Sequence, residues 1–281
     1  MTETATESAV TMDCFGLTDP GKVREGNEDH FLIAAVSKSV DVRYTSLSQE
    51  AIAHRFGAAG GYLFAVADGV AGRPEGDLAS ERTVAAVLGY VGQAAACFQG
   101  LTAAKEHDLL GKLEETIRGV HEGLLAEYGG SSSKVPATTL TLVLLVWPRA
   151  YLVHVGDSRA YVRRRGRLQR LTSDQTFGEY MVTVGAWTEA QAARSGSGAA
   201  LSSAVGGSEI LPVVGLVDLE PGDSLLLCTD GLTKHVSDDQ IAAALASPID
   251  AQTASRQLVA EALAGGGTDN VTVVVVKTAL A

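Results

Sequence analysis

Short apolar runs, each cut off by a polar or glycine-containing turn, place the tightest constraint on this 281-residue chain. FLIAA from Phe31, YLFAVA from Tyr62, TTLTLVLLV from Thr138, YLVHV from Tyr151, SLLLC from Ser224 and VTVVVV from Val271 are aliphatic and rich in β-branched residues. They are strand-length, and none reaches the ~18–20 residues of a membrane span. Their nearly unbroken hydrophobicity predicts strands covered on both faces. The helices to cover them are available. Val84, Val87, Leu88 and Val91 fall at i, i+3, i+4, i+7, and Leu109 or Leu110, Leu113, Ile117, Val120 and Leu124 repeat that face. Ser237 and Gln240 form a capping-box pattern before a helix to about Ala246, and another helix runs from about Asp250 to Ala264, before Gly265-Gly266-Gly267. The close spacing of the strands between Thr138 and Arg163 predicts antiparallel hairpins. An α+β class follows: a four-layer α-β-β-α sandwich, two antiparallel sheets flanked by helices.

Three segments fall outside this pattern. Met1 to Thr11 is expected to be a disordered tail, which leaves 12–278 as a single domain. Ser37 to Gly61 reads as a surface insertion. Residues 174–207 lose the strong apolar periods and predict an exposed flap with one weak helix around Thr188 to Arg194.

Charge and cysteine usage narrow the function. The formal net charge of −11 makes a nucleic-acid-binding surface a poor expectation, and 46% hydrophobic residues exclude wholesale disorder. Cys14, Cys97 and Cys228 are odd in number and show no C-x-x-C spacing, so neither a disulfide framework nor a zinc site is indicated. The start MTETATESAV lacks a basic and an apolar region of a leader, and a cytoplasmic, non-membrane, monomeric protein is expected. His30, His54, His107, His121, His154 and His235 have no metal-ligand spacing.

Acidic residues recur at strand ends. Asp68 follows LFAVA, Asp230 lies one residue beyond SLLLC, Asp269 comes two residues before VTVVVV, and Glu28 and Asp29 precede another strand. Taken singly, Asp68-Gly69 and Asp230-Gly231 are ordinary turn signals. If the strand ends meet, however, the carboxylates share a small space and repel unless they are protonated or neutralised by cations. An all-oxygen donor set favours Mg²⁺ or Mn²⁺ over zinc or copper. Gly69, lacking Cβ, lets its carbonyl turn toward an ion.

The order of motifs carries the rest. TDPGKVREGNED from Thr18, VADGVAG from Val66, ATTL from Ala137, VGDSRAY from Val155, LTSDQT from Leu171, TDGLTKHVSDDQI from Thr229 and GTDNVTVVVV from Gly267 together resemble the metal-dependent protein phosphatases of the protein phosphatase 2C type, bacterial members above all. The resemblance implies a β-sandwich flanked by helices and hydrolysis of phosphoserine and phosphothreonine in proteins, with no phosphoenzyme. It implies two core Mn²⁺ or Mg²⁺ ions, with Asp68 bridging them, the Gly69 carbonyl on one, and Asp230 and Asp269 on the other. Glu28 and Asp29 would hold water, Arg24 would clamp phosphate, and Asp157 with Asp230 would hold a third, weaker ion. Partners would be phosphorylated proteins, targets of a Ser/Thr kinase.

Some positions depart from the family pattern. Val70 stands where animal and plant members carry a His, Gln175 stands where bacterial members usually carry another His, and AALSSA (Ala199 to Ala204) replaces the usual end of the flap. These changes motivate a second reading, a weakly active module that binds phosphoproteins. A third is a phosphatase for small phosphate esters.

Overall fold

In the computed structural model, which describes residues 10–36, 40–46, 61–94, 103–129 and 134–280, alternate residues of the run LTLVLLV enter different cores. Leu140, Leu142 and Leu144 pack with Val84, Val87, Leu113 and Ile117, whereas Val143 and Leu145 join Phe31, Phe64, Leu227 and Val274. That split explains the continuous hydrophobicity, because one face of the strand meets helices and the other meets a second sheet.

Among the described residues the strands are β1 (Val10–Asp19), β2 (His30–Val36), β3 (Val40–Thr45), β4 (Gly61–Ala67), β5 (Leu140–Val146), β6 (Arg149–Val155), β7 (Arg159–Arg164), β8 (Arg167–Arg170), β9 (Val213–Asp218), β10 (Ser224–Cys228) and β11 (Val271–Leu280). One sheet has the order β3-β2-β4-β5-β6-β9 and the other β1-β11-β10-β7-β8, with antiparallel neighbours throughout. Helices α1 (Gly76–Ala94) and α2 (Ala103–Tyr128) cover the first sheet. Two short flap helices follow, α3 (Phe177–Thr183) and α4 (Glu189–Arg194), then α5 (Asp230–Thr233), and α6 (Asp238–Ala246) and α7 (Ala251–Ala264) cover the second sheet. The result is the four-layer α-β-β-α sandwich expected from the sequence.

The hairpin expectation is half right. β5 and β6 pair as a hairpin, but β6 and β7 belong to different sheets, and Gly156-Asp157-Ser158 carries the chain between them. Gly156 makes this possible with φ of 103°, and a Cβ there would lie 2.6 Å from Thr139 Cγ2. The true hairpin partner of β7 is β8, joined through Arg165 and Gly166 at φ 49° and 81°, the signature of a type I′ turn.

Other elements went unannounced in the sequence. β1 pairs along its whole length with β11, from Val10 opposite Leu280, so the ladder reaches beyond the 12–278 limits at both ends; residues 1–9 lie outside the described residues. Within the expected insertion, Val40–Thr45 is an edge strand, and 37–39 and 47–60 lie outside the described residues. The flap contains α3 as well as the anticipated α4; Thr176 caps the former and a Thr188/Gln191 capping box opens the latter. Among the described residues no helix is long and apolar enough to cross a membrane.

Candidate metal centre

The sheets bring their carboxylate-bearing ends to one rim. β4 delivers Asp68, whose backbone N–H donates to Thr139 Oγ1 at 3.1 Å and whose carbonyl accepts from Thr139 N–H and the Thr138 hydroxyl, both at 2.9 Å. The sheet-to-sheet crossing delivers Asp157. β10 leads through Thr229 into Asp230 at the start of α5, and the turn before β11 carries Asp269. The loop before β2 brings Arg24 and Glu28; Glu28 N–H donates to Asn270 Oδ1 at 2.9 Å, and Asn270 Nδ2 donates to the carbonyls of Pro20 and Gly26. Asn270 therefore fixes the Arg24–Glu28 loop against the Asp269 turn.

Arg24, Glu28, Asp68, Gly69, Asp157, Asp230 and Asp269 all line one cavity of about 460 Å³. Asp29 does not. It is buried behind the cavity, where Oδ2 accepts from the hydroxyls of Thr229 at 2.8 Å and Thr272 at 2.7 Å. Gly69 is required by space: a Cβ would stand 2.7 Å from Glu28 Cβ and 2.7 Å from the Gly76 carbonyl carbon.

Crowding governs the electrostatics. Burial, reinforced by Asp29, Asp230 and Asp157, pushes the Asp68 carboxyl well above the usual carboxylate range. Burial followed by the charge of Asp230 pushes Asp157 up to about 7. Burial also raises Asp29 to about 7 against the pull of the Thr272 and Thr229 hydroxyls, and burial with Asp77 raises Glu28. Asp269 goes the other way, because hydrogen bonds from Arg24 and Lys234 outweigh its burial.

Two cations already neutralise part of this set. Arg24 Nε and Nη2 contact Asp269 Oδ1 and Oδ2 at 2.7 and 3.0 Å. Lys234, which the sequence reading passed over, reaches Asp230 Oδ2 at 2.6 Å and Asp269 Oδ2 at 2.7 Å. Its i,i+4 spacing from Asp230 was the available signal. With these pairs in place, no group of three or more His, Cys, Asp or Glu among the described residues stands in an ion-holding arrangement. The donor chemistry nevertheless fits a hard divalent cation. Among the described residues Asp230 Oδ1 and Asp29 Oδ1 are buried without a hydrogen-bond partner, and Asp68 and Asp157 beside them are raised by burial first and by neighbouring carboxylates second.

The family model for protein phosphatase 2C matches residues 42–265. The chain belongs to that family. Serine/threonine protein phosphatase PstP of Mycobacterium tuberculosis is 37% identical over 218 residues, 77% of this chain and 40% of the relative, so the chain spans well under half the length of that curated relative. The serine/threonine phosphatase of S. agalactiae superposes with a TM-score of 0.79 at 27% identity, covering 95% of this chain and 99% of that one. The catalytic domain of PstP in complex with two manganese ions superposes with a TM-score of 0.68 at 30% identity, covering 96% of this chain and all of that one. The family's sandwich is thus the architecture that assembles the carboxylate-lined cavity.

Proposed function

We propose that the chain is a protein-serine/threonine phosphatase that hydrolyses phosphoserine and phosphothreonine with water activated by Mn²⁺ or Mg²⁺, and forms no phosphoenzyme. The observation that carries this reading is the convergence of Glu28, Asp68, Asp157, Asp230 and Asp269 on one cavity beside Arg24, in a chain of this family.

Asp68, the Gly69 carbonyl, Asp230 and Asp269 are the residues that would hold two core ions, and Asp157 with Asp230 a third. When bound, divalent cations neutralise these carboxylates, acidify water and stabilise charge on phosphoryl oxygens. The protein's own groups do the remaining work. Glu28, whose backbone N–H is held by Asn270, would accept a hydrogen bond from water at the cavity wall. Asp29 tethers the strand ends from behind through Thr229 and Thr272, a positioning role rather than contact with substrate. Arg24 offers a planar fork to a phosphoryl group once part of it leaves Asp269. Ala199, Ala200 and Leu201 bring the flap to the cavity, a short apolar wall where a peptide flanking the phosphorylated residue would lie.

That same wall is what favours the second reading, a module that binds phosphoproteins and turns them over poorly. Phosphate release from a phosphothreonine peptide, measured with Mn²⁺, with Mg²⁺ and after chelation, decides between them. The phosphatase reading predicts metal-dependent release that chelator abolishes. Tight peptide binding without release selects the binding module.

A further inference from the structure

Lys234 stands at the C-terminal end of α5, with its backbone N–H bonded to the Asp230 carbonyl at 2.9 Å. This single helical turn sets its side chain over the carboxylate four residues earlier. The ammonium then spans two acids from different elements, Asp230 on α5 and Asp269 before β11. Arg24 closes the other side of Asp269, so two cations and two carboxylates alternate along this wall of the cavity. Asp68 and Asp157, on the facing elements, have no ion-pair partner among the described residues.

The two carboxylates that Lys234 joins are the pair read above as sharing one ion. A divalent cation that takes both Oδ2 atoms needs the positions the ammonium now holds within 3 Å, and two positive groups at that spacing repel strongly. Lys234 is also tied to its turn at one end only, by a flexible four-carbon stem, and its side chain is 39% exposed, so it can leave for solvent without disturbing the fold.

Resting on the metal reading of this site, we propose that Lys234 is a tethered counter-cation that competes with a divalent ion for Asp230 and Asp269. It holds the two carboxylates together when the divalent ion is lacking and sets how tightly that ion binds. In this role it neither touches substrate nor transfers a proton. The design gives a protein whose acidic rim is stable at low metal and whose activity tracks metal concentration over a higher range than the carboxylates alone would give.

The test is calorimetric titration of the full chain with Mn²⁺ alone, comparing wild type with Lys234→Met, Lys234→Gln and Lys234→Arg, together with thermal unfolding in chelator. Two partly exposed ion pairs are worth about tenfold in affinity when removed, so Met and Gln should each bind Mn²⁺ about tenfold more tightly than wild type. Both should also melt at a lower temperature in chelator, where Asp230 and Asp269 lose their shared partner. Arg, which keeps the charge, should stay close to wild type on both readings. Unchanged or weaker Mn²⁺ binding by the folded Met or Gln protein, with wild-type binding intact, overturns the counter-cation role alone. Absence of Mn²⁺ binding in every protein overturns the metal reading and this inference with it.

Discussion

Thr272 Oγ1 donates to Asp29 Oδ2 across 2.7 Å, linking positions 243 apart in the chain. The contact ties the residue immediately before β2 of one sheet to β11 of the other at the level of the carboxylate rim. Asp29 is 2% exposed and its second oxygen has no partner, so the hydroxyls of Thr229 and Thr272 are what make its burial tolerable. Thr272→Val keeps the shape and removes one of them. The expected loss is roughly 1.5–3 kcal/mol, the usual worth of a hydrogen bond to a charged group, read by urea unfolding at about pH 9, where Asp29, raised to about 7, is ionised.

Gly69 sits between Glu28 and the start of α1 with no room for a methyl group. Because two of the blocking atoms are backbone atoms of Gly76, Gly69→Ala has to push the Asp68-Gly69 turn outward. The expected cost is about 1–3 kcal/mol in chemical unfolding, together with weaker Mn²⁺ binding by calorimetry.

Arg24 binds Asp269 through two nitrogens, a geometry that a single ammonium cannot reproduce. Arg24→Lys should therefore behave more like Arg24→Ala than like wild type. Both are expected to lower kcat/KM on a phosphothreonine peptide by roughly 10–150-fold, while melting temperature changes little because the side chain is 39% exposed.

His154 provides a pH test away from the cavity. Its ring is buried, with Nδ1 2.9 Å from Thr141 Oγ1 and Nε2 3.1 Å from the Ser173 carbonyl, and burial lowers its pKa from 6.5 to about 4. The unfolded chain thus takes up a proton at higher pH than the folded one. Stability from this group is complete above pH 6.5 and falls as pH drops toward 4, by roughly 3 kcal/mol over the window. Asp29 and Asp157, raised to about 7, titrate in the same window with the opposite sign, so the difference between wild type and His154→Gln in urea unfolding at several pH values isolates this slope.

Much of the fold was legible because burial on two faces leaves a mark in the sequence. Runs such as TLVLLV and VTVVVV cannot be satisfied in any one-sided sheet; the helix stripes at Val84–Val91 and Leu113–Leu124 supply the outer cover of the first, and α6 and α7 that of the second. Strands with one wet face left a weaker mark: β1 alternates half-buried and exposed residues from Val10 to Asp13 and is mostly half-buried beyond, and β9 carries Val213 and Leu216 with over half their surface exposed. The crossing after β6 was misread as a hairpin because loop length cannot tell a partner in the same sheet from one in the other. At the site, Asp68, Asp230 and Asp269 stood out by their position beside apolar runs. Asn270, Thr229, Thr272 and Lys234 did not, since each acts through a partner distant in sequence or a turn of helix away, and their residue types are common at such places.

The central claim is that these carboxylates converge in order to hold divalent cations. Anomalous diffraction at the manganese edge, from crystals of the full chain grown with Mn²⁺, tests it most directly. The account predicts strong peaks in the cavity within bonding distance of Asp68, Asp230 and Asp269, and their loss in Asp230→Asn at the site that residue holds. A well-ordered cavity without peaks, or manganese bound only elsewhere on the surface, would contradict it.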